Sequence, residues 1–138
     1  MSEFSLPVRV YIEDTDAGGI VFYVNYLKYM ERARTELLRF LGYDKAAITQ
    51  HNELLVVANA NIDYKRSARL DDLLDVTAAF SKVGRSYVVF DQTVKRGQEL
   101  LCSAQIKVAC VAQDSLKPQA LPKTMLEKIN HWLETEQP

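Results

Sequence analysis

One amphipathic stretch decides the fold: it runs from Asn25 to Gly42 and reads NYLKYMERARTELLRFLG. Its apolar residues recur at the three- and four-residue spacing of a helix, namely at Tyr26, Met30, Ala33, Leu37 and Leu41. Four more apolar residues widen the stripe: Leu27, Tyr29, Leu38 and Phe40. A helix with so wide an apolar face needs broad cover, so we expect a β-sheet to wrap around it and Gly42 to end it.

The residues on either side of this helix predict five strands. Alternating apolar and polar residues at 6–12 are typical of a half-buried strand. A second strand is expected at 54–64, with one face made of Leu54, Val56, Ala58, Ala60, Ile62 and Tyr64. Short turns separate three further strands at 73–82, 87–95 and 100–112, which predicts an antiparallel meander. Between the long helix and the strand at 54–64, a weaker helical spacing at 44–51 predicts a short helical turn. A final helix is expected at 123–133.

These elements predict one α+β domain over residues 1–138, in which a five-stranded antiparallel sheet wraps a long central helix. One helix cannot cover both faces of such a sheet, so the other face and the edge strand must meet solvent or a second subunit. The apolar strand at 54–60 is the leading candidate for that interface. We therefore expect some oligomer, and the sequence leaves its size open between a homodimer and a homotetramer.

The composition excludes several classes of protein. With 17 basic and 18 acidic residues among 138, the net charge of -1 gives no general attraction for nucleic acid. The chain has no run of roughly 18 apolar residues and no signal-peptide pattern, so we expect no membrane span and a cytoplasmic location. The two cysteines and two histidines lack metal-ligand spacing, which predicts reduced core thiols and no metal site: Cys102, Cys110, His51 and His131.

Asp16 is the leading candidate for chemistry, because it lies in a glycine-containing loop just before the long helix. A helix N-terminus presents unpaired backbone N–H groups and a partial positive charge, so it can polarise a carbonyl and stabilise an oxyanion. A carboxylate beside it is ionised at neutral pH and can act as a nucleophile or as a base for water. The same residues also allow a simpler interpretation, in which Asp14 and Asp16 form Asx turns and Gly18 and Gly19 reverse the chain.

A longer pattern surrounds this loop. Four segments carry it: VYIEDTDAGGIVFYVNY at 10–26, ERARTE at 31–36, YKRSARLDD at 64–72 and VGRS at 83–86. Together they resemble the 4-hydroxybenzoyl-CoA thioesterase family, and within it the Tol-Pal-associated bacterial branch. The resemblance implies a hotdog fold, a dimer with active sites between joined sheets, and hydrolysis of acyl-CoA. CoA is then part of the substrate, no separate cofactor is expected, and an acyl carrier protein is a further candidate partner.

The resemblance also implies site residues. The catalytic aspartate falls on Asp16, and the backbone N–H that polarises the thioester carbonyl falls at or near Tyr23. Val24 and Asn25 are expected beside the substrate, although an asparagine here favours helix capping. The branch often has histidine where this chain has Tyr23 and tyrosine where it has Ile12, so a histidine-dependent role is not carried over.

Two basic clusters have competing interpretations. The first cluster is at a turn between strands and consists of Lys82, Arg85 and Ser86. These residues could bind the CoA phosphates or form a solvated hairpin tip, and the resemblance favours phosphate binding. Phosphate contact and solvation are evenly balanced for Lys65, Arg66 and Arg69. The alternative functions are a hydratase or dehydratase, which usually needs a histidine, and a non-catalytic module that binds an acyl carrier protein or a cell-envelope partner.

Overall fold

In the computed structural model, which describes residues 3–43 and 52–135, a long helix packs on an antiparallel sheet. The elements are β1 (Phe4–Arg9), α1 (Asn25–Phe40), β2 (Glu53–Tyr64), β3 (Leu73–Val83), β4 (Tyr87–Arg96), β5 (Glu99–Ala112) and α2 (Lys123–Thr135). The sheet order is β1-β3-β4-β5-β2, with every neighbouring pair antiparallel. The predicted α+β architecture and its meander are therefore confirmed. The helical turn predicted at 44–51 lies outside the described residues.

The core lies between α1 and the inner face of the sheet. Four residues of α1 are at most 1% exposed, as their helical spacing predicts: Tyr29, Met30, Ala33 and Leu37. They belong to one cluster with alternate residues of the strands, among them Val76, Phe80, Phe90, Val94 and Ile106. α2 closes the far end of α1, where the rings of Trp132 and Phe40 pack edge to face at 5.6 Å.

Both cysteines are buried, unpaired thiols, as the sequence predicts. Burial, and to a smaller extent the charge of Asp63, raises the pKa of Cys102 to about 11. Burial and the charge of Glu53 also raise the pKa of Cys110, so neither thiol is suited to nucleophilic chemistry near neutral pH. Among the described residues, no helix combines the length and the apolar character that a membrane span requires.

The first strand is shorter than predicted. β1 ends at Arg9, and residues Ile12–Asp14 form a short 3-10 turn in which Ile12 is 76% exposed. The prediction of a strand up to Ile12 is wrong because Asp14 competes with the sheet for backbone groups. Its carboxylate accepts the Tyr11 N–H at 2.9 Å, and its own N–H donates to the Tyr11 carbonyl at 2.9 Å.

A β-bulge divides β2, which is the free edge strand next to β5. Pairing with β5 skips from Val57 to Asn59, so Ala58 has no partner of its own. The extra residue reverses the alternation, and the residues that face the helix side are Leu55, Val57, Ala60, Ile62 and Tyr64. The prediction that the even-numbered residues of the whole strand share one face is therefore wrong for Leu54, Val56 and Ala58.

Candidate active site

The loop before α1 is a tight turn built around Asp16. The Asp16 N–H donates to the Ile20 carbonyl at 3.0 Å, and the Gly19 N–H donates to the Asp16 carbonyl at 3.0 Å. Gly19 has a φ of 77°, a left-handed conformation that side chains other than glycine rarely adopt. The Gly-Gly pair noted in the sequence therefore closes the turn that presents Asp16.

The Asp16 carboxylate is exposed and has one local contact. Its Oδ1 accepts the Gly18 N–H at 2.9 Å, so the Asx turn that local chemistry favours is present. No other hydrogen bond reaches this carboxylate from the described part of the chain. The turn orients the side chain and leaves Oδ2 open to a ligand.

The entrance to α1 carries two unpaired backbone donors. The N–H groups of Asn25, Tyr26 and Leu27 donate to the carbonyls of Phe22, Tyr23 and Val24, at distances of 2.8 to 3.4 Å. Within residues 3–43 and 52–135, the N–H groups of Tyr23 and Val24 have no acceptor. They stand at the positive end of the helix dipole, where an oxygen with developing negative charge is stabilised.

Asp16 and Tyr23 line one cavity of about 340 Å³. Its walls are formed by Asp16, Ile20, Val21, Phe22, Tyr23, Tyr26, Tyr64, Lys65, Arg66 and Ser67. Aromatic rings make up much of this lining, and Tyr64 packs edge to face against both Tyr23 and Tyr26, with ring centres 6.0 and 5.6 Å apart. The sequence did not single out Tyr64 or Ser67 for this site. Their only signal was their position within the basic segment at 64–72.

A second loop, residues 65–72, holds the Asp16 turn in place. The Val21 N–H donates to the Ala68 carbonyl at 2.9 Å, and the Leu70 N–H donates to the Gly19 carbonyl at 3.1 Å. The buried Ala68 N–H donates to the Tyr26 hydroxyl at 2.9 Å. Burial raises the pKa of Tyr26, so its hydroxyl stays protonated. These contacts fix the turn to both the helix and the sheet.

Two of the three basic residues in the 65–72 loop, Lys65 and Arg66, already have carboxylate partners. Lys65 pairs with Asp63 at 2.8 Å, and Arg66 lies 3.4 Å from Glu99. Glu99 and Asp72 also each bind Arg96 at 2.6 Å. The contacts favour a structural role for Lys65 and Arg66, although both side chains still line the cavity.

The other predicted phosphate contacts lie at the opposite end of the sheet. Tyr64 is opposite Cys102, whereas Tyr87 is opposite Ala109, so the β3–β4 hairpin is roughly 24 Å from the Asp16 end at about 3.4 Å per residue. One chain therefore does not bring Asp16 together with the hairpin residues Lys82, Arg85 and Ser86. Their contact with a substrate stays a prediction.

Gly84 gives this hairpin its shape. A Cβ at Gly84 would lie 2.4 Å from the Tyr87 ring, so the ring packs over the turn only because position 84 lacks a side chain. Two ammonium groups flank the same ring, Lys107 at 4.5 Å and Lys82 at 5.7 Å from its centre.

Asn25 has a different role from the predicted helix cap. Val24 occupies the cap position without a capping side chain, and Asn25 is the first helical residue. The Asn25 amide, 8% exposed, donates to the Asp14 carbonyl at 2.8 Å. The capping prediction is wrong because the amide bridges the helix start to the preceding loop. Val24 is half-buried beside it.

Within the described residues, His131 lines a different cavity, formed by α2 and the C-terminal end of α1. Asp16 lies beyond the opposite, N-terminal end of α1. No histidine of the described ranges accompanies Asp16 in its cavity. The same ranges contain no cluster of three metal-ligating side chains.

The long helix wrapped by an antiparallel sheet is the hotdog architecture, and comparison with known proteins gives the family. Residues 18–103 match the thioesterase superfamily, and the chain belongs to it. It is 44% identical over 129 residues to the acyl-CoA thioesterase YbgC of Haemophilus influenzae, across 93% of this chain and 95% of that protein. It is 39% identical to the acyl-CoA thioester hydrolase YbgC of Escherichia coli O157:H7, across 91% of this chain and 95% of that protein.

Solved structures agree on the fold. A probable thioesterase from Bartonella henselae superimposes with a TM-score of 0.82 at 28% identity, over 88% of this chain and all of that one. A 1,4-dihydroxy-2-naphthoyl-CoA thioesterase from Synechocystis gives 0.87 at 23% identity, over 99% of this chain and all of that one, and supports the fold alone. The hotdog fold expected from the sequence is confirmed.

Proposed function

We propose that this enzyme hydrolyses acyl-CoA thioesters to a free acid and CoA, with Asp16 as the attacking or water-activating group. One observation carries the proposal: the Asp16 carboxylate lines the same cavity as Tyr23, at a helix entrance with two unpaired N–H groups. An acyl thioester carbonyl bound there would accept a hydrogen bond from Tyr23 or Val24 N–H. The relatives named as acyl-CoA thioesterases support the choice of substrate class.

The arrangement allows two routes. In the first, an Asp16 oxygen attacks the carbonyl carbon, the C–S bond breaks, CoA leaves as a thiol after protonation, and water hydrolyses the resulting anhydride. In the second, Asp16 removes a proton from a water molecule that attacks the carbonyl carbon, the C–S bond breaks, and the proton held by Asp16 passes to the departing CoA thiolate. In both routes the helix-entrance N–H groups stabilise the negative charge that develops on the carbonyl oxygen.

The substrate site that we propose needs a second subunit. Antiparallel pairing of two β2 edges would place the Glu53 end of one strand beside the Tyr64 end of the other. The β3–β4 hairpin lies at the Glu53 end of the sheet, so the partner's hairpin would approach the Asp16 cavity. Lys82, Arg85 and Ser86 of the partner subunit would then be near the CoA phosphates.

The test is thiol release from a panel of acyl-CoA and acyl-carrier-protein substrates of graded acyl length. The native protein should hydrolyse at least one of them, and Asp16→Asn should lower kcat by about a hundredfold or more, because the amide is a poor nucleophile and base. Glu13→Gln is the matched control, since Glu13 is exposed in the same loop but does not line the cavity. Full hydrolysis by Asp16→Asn would falsify the catalytic role of Asp16.

Single-turnover hydrolysis in heavy-oxygen water separates the two routes. Label in the Asp16 carboxylate requires the covalent route, because direct attack by water places the label in the product acid only. Water that attacks the acyl carbon of the anhydride also labels only the product, so the diagnostic result is label in Asp16. Tight binding of an acyl carrier protein without any thiol release would instead favour a non-catalytic binding module.

A further inference from the structure

Arg34 is a buried cation in the middle of α1. Its exposed fraction is 8%, and its guanidinium lies 6.0 Å from the centre of the Phe90 ring. Its Nη1 donates to the Gln92 Oε1 at 2.9 Å. In the described part of the chain, no carboxylate forms an ion pair with it. Within these ranges, the Arg34 guanidinium therefore has an amide oxygen as its hydrogen-bond partner and no carboxylate within ion-pair distance.

Gln92 cannot turn away to change this arrangement. Its Nε2 donates to the Met30 carbonyl at 3.0 Å and to the Thr77 carbonyl at 3.1 Å, and the side chain is 1% exposed. The amide is thus fixed by helix and sheet, with its oxygen directed at Arg34. A buried guanidinium held in this way is unfavourable unless an anion completes its shell. Burial already lowers the pKa of Arg34, against the opposite effect of Glu31.

Arg34 borders a groove of about 200 Å³ between α1 and the free edge of the sheet. The lining is Glu31, Arg34, Thr35, Leu38, Leu55, Val57, Phe90 and Val108. It is mainly apolar, and Val57 of β2 is 53% exposed at its rim. Glu31 is exposed and is the one carboxylate among these lining residues. The groove thus holds a buried positive group, an exposed negative group and an apolar wall.

We infer that a second copy of this chain completes the groove, with its Glu31 carboxylate paired to Arg34 and its Arg34 paired to Glu31 of the first copy. A two-fold interface brings one patch against itself, so it needs a surface that is complementary to itself. This groove offers one cation and one carboxylate one helical turn apart on α1, beside a strand edge whose backbone groups are unpaired on one side.

The inference rests on the self-association that we proposed above, and it names the pair that specifies the partner. It does not depend on the chemistry of Asp16. A dimer held by this pair that hydrolyses no acyl-CoA would overturn the proposed function alone. A hydrolase that is monomeric at all concentrations would overturn this inference together with the two-subunit substrate site, and would leave the proposed role of Asp16 intact.

Charge reversal gives a test that separates pairing between chains from pairing within one chain. If the pair joins two chains, Glu31→Lys and Arg34→Glu should each raise the dimer dissociation constant at least tenfold in sedimentation equilibrium. Their equimolar mixture should form a heterodimer, because the lysine introduced in one variant then faces the glutamate introduced in the other, and the second pair remains native. Pairing within one chain predicts no gain on mixing, since each variant then carries two like charges.

Neutral variants keep the test decisive where Arg34→Glu does not fold. Arg34→Met and Glu31→Gln should retain the native circular dichroism spectrum while weakening the dimer about tenfold. Glu36→Gln is the control, because Glu36 pairs with Arg39 on the same helix and does not line the groove. The inference would be overturned if Glu31→Gln had the native dimer dissociation constant. It would also be overturned if the mixture of Glu31→Lys and Arg34→Glu formed no more dimer than either variant alone.

Discussion

The Asn25 side-chain amide donates a hydrogen bond to the Asp14 backbone carbonyl at 2.8 Å, which ties the start of the long helix to the loop before it. The Asp14 carboxylate in turn accepts the Tyr11 N–H at 2.9 Å. Asp16, two residues further on, bonds through its side chain only to the Gly18 N–H within the described ranges. The two aspartates of the same motif therefore differ in their contacts: Asp14 stabilises the loop, whereas Asp16 has the open carboxylate to which we assign the proposed chemistry.

This difference in contacts predicts that Asp14 contributes more to the free energy of unfolding than Asp16 does. Asp14→Ala should lower the free energy of unfolding by about 1–2 kcal/mol, because the Tyr11 N–H loses its acceptor. Asp16→Asn should change it by less than about 0.5 kcal/mol, because the asparagine oxygen can still accept the Gly18 N–H. Urea unfolding followed by circular dichroism measures both. Equal losses for the two variants would contradict this prediction.

The hydroxyl of Tyr26 should matter through the loop that it anchors. Tyr26→Phe leaves the fully buried Ala68 N–H without its acceptor, so we expect a loss of about 1–3 kcal/mol in urea unfolding. Tyr64→Phe is the matched control, since its hydroxyl has no partner among the described residues and its side chain lies at the surface. A loss of the same size in Tyr64→Phe would show that the Ala68 contact is not the cause.

The hairpin glycine can be tested with a double-mutant cycle. Gly84→Ala should lose about 1–3 kcal/mol of stability, because its Cβ would meet the Tyr87 ring at 2.4 Å. In the Tyr87→Ala background the same change should have little effect, because the ring is gone. If the two losses simply add, the steric conflict with Tyr87 is not the reason that glycine stands there.

The Asp72–Arg96 ion pair should make stability depend on acid pH. Burial raises the pKa of Asp72, but the Arg69 N–H and the Arg96 guanidinium lower it more, so the folded pKa lies below its usual value. Stability from this pair is therefore complete above the unfolded pKa of about 3.9 and is lost as the pH falls through the folded value.

Asp72→Asn measures this contribution. The free energy of unfolding of this variant should be about 0.5–1 kcal/mol below the native value at pH 6. The difference between the two proteins should become smaller below pH 4. Urea midpoints at pH 6, 4 and 3 give the comparison. A gap that stays constant across this range would exclude the carboxylate charge as its source.

Local patterns were sufficient to predict much of this fold. The spacing of Tyr26, Met30 and Leu37 predicts α1 because helical periodicity is a property of neighbouring residues. The turn at Asp16 follows for the same reason, since the glycines that permit its backbone angles lie within three residues of it. The direct turns between β3, β4 and β5 fix their order in the sheet.

Features that depend on distant partners were not predictable. The bulge at Ala58 arises from pairing with β5, more than forty residues away in sequence. Glu99 neutralises Arg66 only because β5 starts beside the 65–72 loop. Tyr64 joins the cavity because β2 ends there, so no spacing within β2 indicates it. The roles of Lys82, Arg85 and Ser86 stay predictions because one chain places them far from Asp16.

The bulge at Ala58 also bears on how this protein avoids aggregation. A long flat edge strand is a template on which further chains add without limit. Here the bulge at Ala58 divides the β2 edge into two short segments whose side chains alternate in opposite phase. Pro7 interrupts the other edge strand, β1, because it has no N–H to donate. A fibril needs uninterrupted edges in every copy, so neither edge of this sheet is a good template for amyloid growth.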